Sequence, residues 1–303
     1  MKLVRFSVLN ISSYGVLNDD QIISLPTLAK KLQQPFPSNI ENLILQGIEE
    51  TSIEHLIHSA SSITLKKATF PLGKVKLLAP IIMPPKIICL GLNYKDHAAE
   101  QGKNPPDEPV IFMKPHTTII GPNENIVKPY FVKQLDYEAE LAIVVGKEAK
   151  NVSVNDAKSR IFGYTILNDV SARDIQFKDK QWTRGKSFDT FAPIGPCIST
   201  ANQIKNPTNL QVYTWVNKEL RQNSTTSNMV LNVFEIVHHL SRVMTLEPCD
   251  IIATGTPAGV GFAMKPEPKF LQDGDVLEIE IEGVGVLRNK VVEEKLSSKD
   301  IDG

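Results

Sequence analysis

The spacing of apolar and polar residues predicts a small mixed region at the start of this chain. Residues 3–8 alternate between apolar and polar side chains, which is the pattern of a strand with one buried face. Further along, the spacing predicts a turn at 12–18, a short strand at 22–23, and helices at 28–32 and 40–59. Strands and helices together in so short a stretch favour a small N-terminal α/β domain over residues 1–75.

Strands dominate the pattern after the prolines at 80, 84 and 85. The β-branched run at 86–91 ends in glycine, as expected of a buried strand that opens into a loop. Other segments fit strands at 140–145, 161–167, 211–216, 250–254 and 276–281, and short helices at 94–101, 155–160, 170–178 and 230–244. The two types do not alternate regularly, which argues against a doubly wound sheet or an eight-stranded α/β barrel. We predict an α+β fold, with a strand-rich mixed β-roll or sandwich over residues 80–297.

Composition and charge narrow the class of protein. The chain has 303 residues and a net charge of −1, so it lacks the basic excess expected of a protein that binds nucleic acid or an anionic membrane. No apolar run approaches the roughly 18 residues of a membrane span, and the alternating start does not resemble a signal peptide. The three cysteines are odd in number and far apart, which is typical of reduced thiols. We therefore expect a cytoplasmic enzyme, or a mitochondrial matrix enzyme if a eukaryotic transit peptide has been removed.

Glu138 and Glu140 are the first residues that suggest a chemical function. In a strand, alternate side chains share a face, and this face continues through the apolar Ala142 and Val144. Two carboxylates that enter an apolar face repel each other and lose hydration unless a cation lies between them. Hard divalent ions such as Mg²⁺, Mn²⁺ and Ca²⁺ prefer oxygen ligands of this kind.

The alternative interpretation of this pair is a solvated edge strand. Glu278, Glu280 and Glu282 also alternate, and we expect them to face water. Alternating glutamates therefore do not identify a metal site by themselves, and a third carboxylate is needed.

Asp169 is the candidate for that third carboxylate. It follows the strand predicted at 161–167, where a short helix is expected to begin. Arg173 and Gln176 lie four and seven residues further on, which would place them on the same helix face as Asp169. Such a face suits a metal ligand beside groups that bind a carboxylate or keto oxygen. The simpler alternatives are a helix N-cap for Asp169 and a surface ion pair with Arg173.

Three further segments carry residues suited to catalysis or substrate binding. His97 and Glu100 are three residues apart in a predicted helix, so the carboxylate can orient the imidazole as a base, although such a pair can also be a surface contact. The loop that begins at Gly102 could let this helix move as a lid. Lys186 lies in a loop bounded by glycine and aromatic residues. Thr256 lies in a glycine-rich turn that could hold a carboxylate, and the turn lacks the lysine of a nucleotide-binding P-loop.

Four segments, in this order, resemble the fumarylacetoacetate hydrolase superfamily. They are Asp-Tyr-Glu-Ala-Glu-Leu at 136–141, Asn-Asp-Val-Ser-Ala-Arg-Asp-Ile-Gln at 168–176, Gly-Lys-Ser-Phe-Asp-Thr-Phe at 185–191, and Thr-Gly-Thr-Pro-Ala-Gly-Val-Gly at 254–261. The chain is most similar to the fumarylacetoacetate hydrolase domain-containing protein 2 group, and that similarity covers nearly all of it.

The resemblance implies a homodimer of the superfamily's strand-rich fold that binds Mg²⁺ or Mn²⁺, with Ca²⁺ as a third option. It implies three sets of site residues: the metal ligands Glu138, Glu140 and Asp169; the catalytic residues His97, Glu100 and Lys186; and the substrate contacts Arg173, Gln176 and Thr256. One difference from the founding hydrolase of the superfamily limits what can be inferred about the substrate of this chain. The founding hydrolase has an additional aspartate ligand ahead of its catalytic histidine, and this sequence shows no clear counterpart, so that enzyme's substrate is not expected here.

The expected function is that of a metal-dependent enzyme acting on short 2-oxo acids or acylpyruvates through an enolate that the metal stabilises. Hydrolysis of a carbon–carbon bond is the first choice, with His97 activating a water. Keto–enol tautomerisation of an oxaloacetate-type acid, or decarboxylation, would use the same groups. The non-enzymatic alternative is a catalytically weak dimer that binds a metabolite.

Overall fold

The computed structural model describes residues 1–295, so the last two residues of the domain predicted at 80–297 lie outside the described part. The strands are β1 (Lys2–Val8), β2 (Ile11–Asn18), β3 (Gln21–Ser24), β4 (Thr69–Pro71), β5 (Lys76–Leu78), β6 (Ile87–Gly91), β7 (Val110–Lys114), β8 (Ile119–Ile120), β9 (Asn125–Lys128), β10 (Leu135–Asp136), β11 (Ala139–Val145), β12 (Ile161–Asn168), β13 (Ser171–Ala172), β14 (Ala192–Thr200), β15 (Gln211–Val216), β16 (Glu219–Thr225), β17 (Ile251–Ala253), β18 (Val276–Ile281) and β19 (Gly285–Glu293). The α-helices are α1 (Leu25–Leu32), α2 (Ile40–Leu45), α3 (Glu50–His58), α4 (Ser62–Ala68), α5 (Lys95–Glu100), α6 (Val154–Ala157), α7 (Arg173–Lys178), α8 (Thr183–Lys186) and α9 (Val233–Val243).

The largest sheet joins the N-terminal strands to strands from the middle and later parts of the chain. Its order is β4-β3-β2-β1-β14-β12-β11-β17-β6-β7, with β5 added beside β1 and β8 beside β14. The N-terminal strands join it directly, because Lys2 pairs with Ser199 and Leu3 with Ile198. The region 1–75 therefore extends the sheet that carries the candidate site, and its status as a separate domain stays a prediction.

A second sheet, in the order β16-β15-β18-β19-β9, packs on one side of the first. Leu141 and Ile143 of β11 lie in one apolar cluster with Val212 and Ile279 of the second sheet. The helix α9 adds its apolar side to this cluster through residues such as Ile236. The apolar core thus lies between sheets with helices at their margins, which confirms the predicted α+β class.

Several element boundaries differ from the sequence-based expectation. The turn expected at 12–18 is part of β2, because Leu9 and Asn10 at φ of 48° and 65° make the reversal earlier. Two consecutive residues with positive φ form the tight hairpin turn that matches strand twist. The helix expected at 40–59 is two helices, and Gly47 at φ 63° lies in the break between them.

The three cysteines are free, buried thiols, as expected. Among residues 1–295, no helix is both long enough and apolar enough to cross a membrane.

Candidate metal centre and active site

The two glutamates predicted as metal ligands lie at the start of β11. This strand pairs with β12 on one side and with β17 on the other. The strand begins at Ala139, so Glu138 directly precedes it and Glu140 is its second residue. Ala142 and Val144, further along the same face, belong to the apolar core. An internal strand with both faces covered excludes the solvated-edge interpretation for this pair.

Asp169 completes a buried group of three carboxylates. One oxygen from each of Glu138, Glu140 and Asp169 lies within 4.8 Å of the other two. The backbone explains this approach, because Asp169 N donates to Glu138 O at 2.9 Å and Glu138 N donates to Asn168 Oδ1 at 3.0 Å. These two hydrogen bonds hold the end of β12 next to the start of β11.

The hydrogen bonds of Glu140 leave one of its two carboxylate oxygens without a partner among the described residues. Its Oε2 accepts a hydrogen bond from Gly255 N at 2.7 Å, whereas its Oε1 is buried and has no hydrogen-bond partner among the described residues. Buried polar atoms are normally paired, and three close carboxylates form a donor set that hard divalent cations prefer. The residues therefore fit a divalent metal ion.

Two buried lysines and an arginine balance part of the negative charge. Lys186 Nζ donates to Glu138 at 2.8 Å and to Asp169 at 2.5 Å. Lys114 Nζ lies 2.6 Å from the other carboxylate oxygen of Asp169. Arg173 Nη2 lies 2.6 Å from Glu138 Oε1. Glu140, in contrast, makes no ion pair with a described residue.

Because the cations pair with Glu138 and not with Glu140, the pKa values of the two carboxyl groups shift in opposite directions. Burial opposes ionisation of Glu138, but the charges of Lys186 and Arg173 outweigh it and hold its pKa well below the usual range. Burial, followed by the charges of Asp169 and Glu138, raises the pKa of Glu140 well above its usual value. A cation placed beside Glu140 would favour the ionised carboxylate and so lower this pKa again.

Lys186 reaches the carboxylates because two short helices pack closely. A Cβ added to Gly185 would lie 2.8 Å from the backbone nitrogen of Gln176, so glycine is what lets α8 approach α7. The lysine side chain is almost fully buried, and its Nζ also lies 4.8 Å from the centre of the Phe112 ring. Burial among two carboxylates and an aromatic ring fixes this cation in place.

His97 and Glu100 form the dyad that their spacing in α5 predicts. His97 Nδ1 lies 2.6 Å from Glu100 Oε1, and Glu100 Oε2 accepts a hydrogen bond from Gly259 N at 2.9 Å. The glycine-rich turn therefore orients the carboxylate, and the carboxylate orients the imidazole. His97 Nε2 lies 2.8 Å from the side-chain nitrogen of Gln101. The buried imidazole is a base whose position is set from both sides.

Thr256 is held by Gln222, a fully buried residue of β16. Gln222 Nε2 donates to Thr256 Oγ1 at 2.8 Å and to Pro257 O at 2.9 Å. Its Oε1 accepts hydrogen bonds from Ala139 N at 3.2 Å and from Thr214 Oγ1 at 2.8 Å. Because the Thr256 oxygen accepts from Gln222, its own hydrogen remains available to donate to a bound group.

These residues line one small cavity of about 100 Å³. Of the predicted site residues, its wall includes His97, Glu138, Arg173, Gln176, Lys186 and Thr256. Glu140 and Asp169 lie behind this wall, next to Glu138. The structure therefore brings all nine predicted site residues into one region, with Glu100 reached through His97.

One part of the sequence interpretation is wrong in detail. Asp169 is not on the helix with Arg173 and Gln176, because residues Ser171–Ala172 form β13 and pair with β10. The helix begins only at Arg173, whose nitrogen donates to Gln134 O. Arg173 still reaches the site, where it binds the chain's own residues: Nε is 2.9 Å from Asp136 Oδ2 and Nη1 donates to Gln176 Oε1 at 2.8 Å.

Four residues of this site escaped the sequence interpretation: Gln101, Lys114, Asp136 and Gln222. Lys114 ends an alternating strand and resembles a surface residue until its burial is seen. Asp136 lies within a recognised segment but carries no signal that distinguishes it from its neighbours. Gln222 is an ordinary strand residue in sequence, and only its position across from Ala139 reveals its contacts.

Comparison with known proteins identifies the family. A family model described as Fumarylacetoacetate (FAA) hydrolase C-terminal matches residues 86–292. The chain belongs to the fumarylacetoacetate hydrolase family. The Fumarylacetoacetate hydrolase domain-containing protein 2 homolog of Dictyostelium discoideum is 43% identical over 288 residues, which are 91% of this chain and 92% of that protein. Oxaloacetate tautomerase YisK of Bacillus subtilis is 41% identical over 288 residues, 91% and 94% of the respective chains.

Solved structures of this family share the fold. A maleylpyruvate hydrolase from Sphingobium sp. SYK-6, determined in complex with manganese(II) ion and pyruvate, matches with a TM-score of 0.78 at 33% identity, covering 97% of this chain and all of that one. The chain is thus an enzyme of the fumarylacetoacetate hydrolase family, related to tautomerases and to hydrolases, and the predicted family, fold class and enzyme class are confirmed. The buried triad is compatible with a divalent metal, whose identity stays a prediction.

Proposed function

We propose that this protein is a divalent-metal-dependent keto–enol tautomerase of short 2-oxo acids of the oxaloacetate type. The observation that carries the proposal is the meeting, at one small cavity, of the incomplete carboxylate triad and the His97–Glu100 dyad. Similarity over most of the chain to an oxaloacetate tautomerase supports it. Tautomerisation needs a base and a stabilised enol oxygen but no attacking water, and a cavity of about 100 Å³ favours a short acid.

Glu138, Glu140 and Asp169 would hold the metal, which we expect to be Mg²⁺ or Mn²⁺. When bound, the ion supplies Lewis-acid polarisation of the 2-oxo group. Thr256 would donate its free hydrogen to the carboxylate beside that group. His97 lines the same cavity as Glu138 and Thr256, so it would be placed to reach the C3 carbon of an acid held in this way.

His97 is the base in this scheme. Its Nε2 takes a proton from C3, the C3–H electrons form the C2–C3 double bond, and the π electrons of the 2-oxo group move to its oxygen. That oxygen takes a proton from solvent water to give the enol, and His97 returns its proton to the solvent. Glu100 stabilises the protonated ring through the 2.6 Å contact at Nδ1. Lys186 keeps a positive charge beside Glu138 and Asp169, which limits the negative charge near the developing enol oxygen.

His97→Asn tests this assignment. We expect the variant to slow interconversion of the keto and enol forms of oxaloacetate by about 10²- to 10⁴-fold, the usual contribution of a general base. Mn²⁺ affinity should be unchanged, because His97 is not among the three candidate ligands. The rate is measured from the enol absorbance, and metal binding by calorimetry. A variant as fast as wild type would remove His97 from the mechanism.

Hydrolysis of an acylpyruvate is the second candidate, and the similarity to a maleylpyruvate hydrolase favours it. The same His97 nitrogen could deprotonate a water instead of C3. The two functions differ in products: NMR of an acylpyruvate incubated with the Mn²⁺-loaded protein would show two new acids in one case and only keto–enol exchange in the other.

Gln222→Glu is expected to weaken substrate binding through Thr256. The introduced carboxylate only accepts hydrogen bonds, so the Thr256 hydrogen turns towards it and is lost to the substrate. A hydrogen bond to a charged group contributes about 1.5 kcal/mol, so KM for oxaloacetate should rise roughly tenfold with a smaller change in kcat. Adding Thr256→Val to this variant should raise KM no further. A further tenfold rise in the double variant would show that the two residues act independently.

Homodimer formation and the cellular location stay predictions. Light scattering coupled to size-exclusion chromatography measures the first. The expected partner is the small 2-oxo acid substrate, with no role for nucleic acid or membrane in the proposed function.

A further inference from the structure

A chain of hydrogen bonds ends on the nitrogen of His97 that the proposed reaction needs. Lys103 Nζ donates to Gln101 Oε1 at 3.0 Å, and Gln101 Nε2 lies 2.8 Å from His97 Nε2. Because a lysine ammonium only donates, it fixes the Gln101 amide with its oxygen towards Lys103 and its NH2 group towards the ring. His97 Nε2 then accepts, which agrees with an Nδ1 proton donated to Glu100. In the substrate-free protein, the Gln101 amide is therefore hydrogen-bonded to the His97 nitrogen that would act as the base.

The end of α5 brings Lys103 back towards Gln101. Gly102 has a φ of +66°, its nitrogen donates to Ala99 O at 3.0 Å, and Lys103 N donates to Ala98 O at 2.9 Å. This pair of bonds is the Schellman motif, which ends a helix at a residue in the left-handed region and favours glycine there. The turn reverses the chain within two residues, so Lys103 and Gln101 line the same cavity as His97.

Lys103 differs from the other cationic side chains of the cavity wall. Arg173 and Lys186 are buried and each contacts two carboxylates of the chain. Lys103 is exposed and, among residues 1–295, its ammonium makes no ion pair; its hydrogen bond goes to the neutral Gln101. An ammonium bound only to an amide exchanges readily for a carboxylate, since charge-assisted hydrogen bonds are about twice as strong as neutral ones.

We propose that Lys103 binds the distal carboxylate of a dicarboxylic 2-oxo acid, and that this contact releases Gln101 from His97 Nε2. The inference rests on the proposed function, because it assigns the second carboxylate of the substrate of that reaction. Lys103 lines the same cavity as Glu138 and Thr256, so an acid whose first carboxylate and 2-oxo group are held there would have its other end within the part of the cavity that Lys103 lines. When Lys103 turns to that carboxylate, the Gln101 amide loses its anchor and the base becomes free. Lys103 is then a specificity residue, and Gln101 a positioning residue that acts through His97.

Lys103→Met tests the specificity role with two acids that differ only in the carboxylate concerned. Oxaloacetate carries it and pyruvate does not. With the Mg²⁺-loaded protein, we expect KM for oxaloacetate to rise roughly tenfold. Deuterium exchange into pyruvate, followed by NMR, should be no slower than in wild type, because the loss of Lys103 also removes the anchor of Gln101. Lys103→Arg should restore most of the oxaloacetate KM. Lys95→Met, at an exposed lysine of α5 that does not line the cavity, should match wild type.

Gln101→Met tests the positioning role. Pyruvate has no distal carboxylate that could bind Lys103. In the wild-type protein it must therefore displace Gln101 from His97 while Lys103 still holds the Gln101 amide. Removing the amide should therefore raise kcat/KM for pyruvate relative to oxaloacetate. In the substrate-free protein it should also shift the ¹⁵N resonance of His97 Nε2, which a change of general packing at an exposed loop would leave in place. An unaltered resonance would show that Gln101 does not occupy the base.

The outcomes separate this inference from the proposed function. Equal effects of Lys103→Met on the two acids, or none, would overturn the role of Lys103 while leaving the tautomerase intact. Wild-type protein without turnover of either acid would overturn the proposed function. Dissociation constants of the two acids from calorimetry would then still test Lys103, since the variant should weaken oxaloacetate alone.

Discussion

Glu140→Gln is expected to abolish Mn²⁺ binding and Mn²⁺-dependent turnover while leaving the metal-free protein at least as stable as wild type. The loss of binding follows from the removal of one of three carboxylate ligands. The stability follows from the isolation of Glu140, whose buried Oε1 has no partner within residues 1–295 and whose neighbours Asp169 and Glu138 carry the same charge. A neutral amide of nearly the same shape keeps the acceptor for Gly255 N and removes the repulsion.

The pH dependence sharpens this prediction. Because folding raises the pKa of Glu140, the carboxyl group favours the folded state below its unfolded pKa, and this contribution is lost as the pH rises towards the higher folded pKa. Metal-free wild-type protein should therefore lose stability as the pH rises above about 4.5, in a way that Glu140→Gln does not. Added Mn²⁺ should restore the stability of the wild-type protein and leave the stability of the variant unchanged. Thermal unfolding with and without Mn²⁺, at pH 5 and pH 7.5, measures both effects.

Glu280→Gln is the matched control for this experiment. Glu280 occupies the second position of an alternating glutamate series, but it lies on the partly exposed face of β18. Its substitution should change neither Mn²⁺ affinity nor the pH dependence of stability. Unchanged Mn²⁺ affinity in Glu140→Gln would remove the triad as the metal site. A large loss of metal-free stability would show that Glu140 is compensated by a contact outside the described hydrogen bonds.

Local patterns could predict the triad because each ligand sits where backbone geometry leaves few choices. Alternation in β11 places Glu138 and Glu140 on one face, and the apolar residues that follow show that this face is buried. Asp169 directly follows a strand that pairs with β11, so the register brings it to Glu138. The helical spacing to Arg173 was the wrong reason for grouping these residues, since two extended residues precede α7.

Contacts that depend on tertiary packing could not be predicted in this way. Lys114, Asp136 and Gln222 come from three different strands, and their roles arise only where those strands meet the site. The contact between Lys103 and Gln101 depends on the turn at Gly102 that ends α5. Periodicity indicates which face of an element is buried, but it does not indicate which polar partner a distant strand places opposite that face.

Arg173→Met is expected to lower the free energy of unfolding by about 3–5 kcal/mol, the usual cost of removing one partner from a buried ion pair. The guanidinium is almost fully buried between Asp136 and Glu138, at 2.9 Å and 2.6 Å, and stacks 4.5 Å from the Phe262 ring centre. Without it, the buried Asp136 loses the cation it pairs with, and Glu138 keeps only Lys186. Urea unfolding in the absence of metal measures the effect.

Two variants decide whether charge is the cause. Arg184→Met removes an exposed arginine that pairs with Asp179 and should leave the urea midpoint unchanged. Adding Asp136→Asn to Arg173→Met removes one of the stranded charges, so the double variant should be more stable than Arg173→Met alone, even though it carries a further substitution. An equal or larger loss in the double variant would assign the effect to lost packing against Phe262. If the double variant recovers stability but not turnover, Arg173 also contacts the substrate, as its place in the cavity wall predicts.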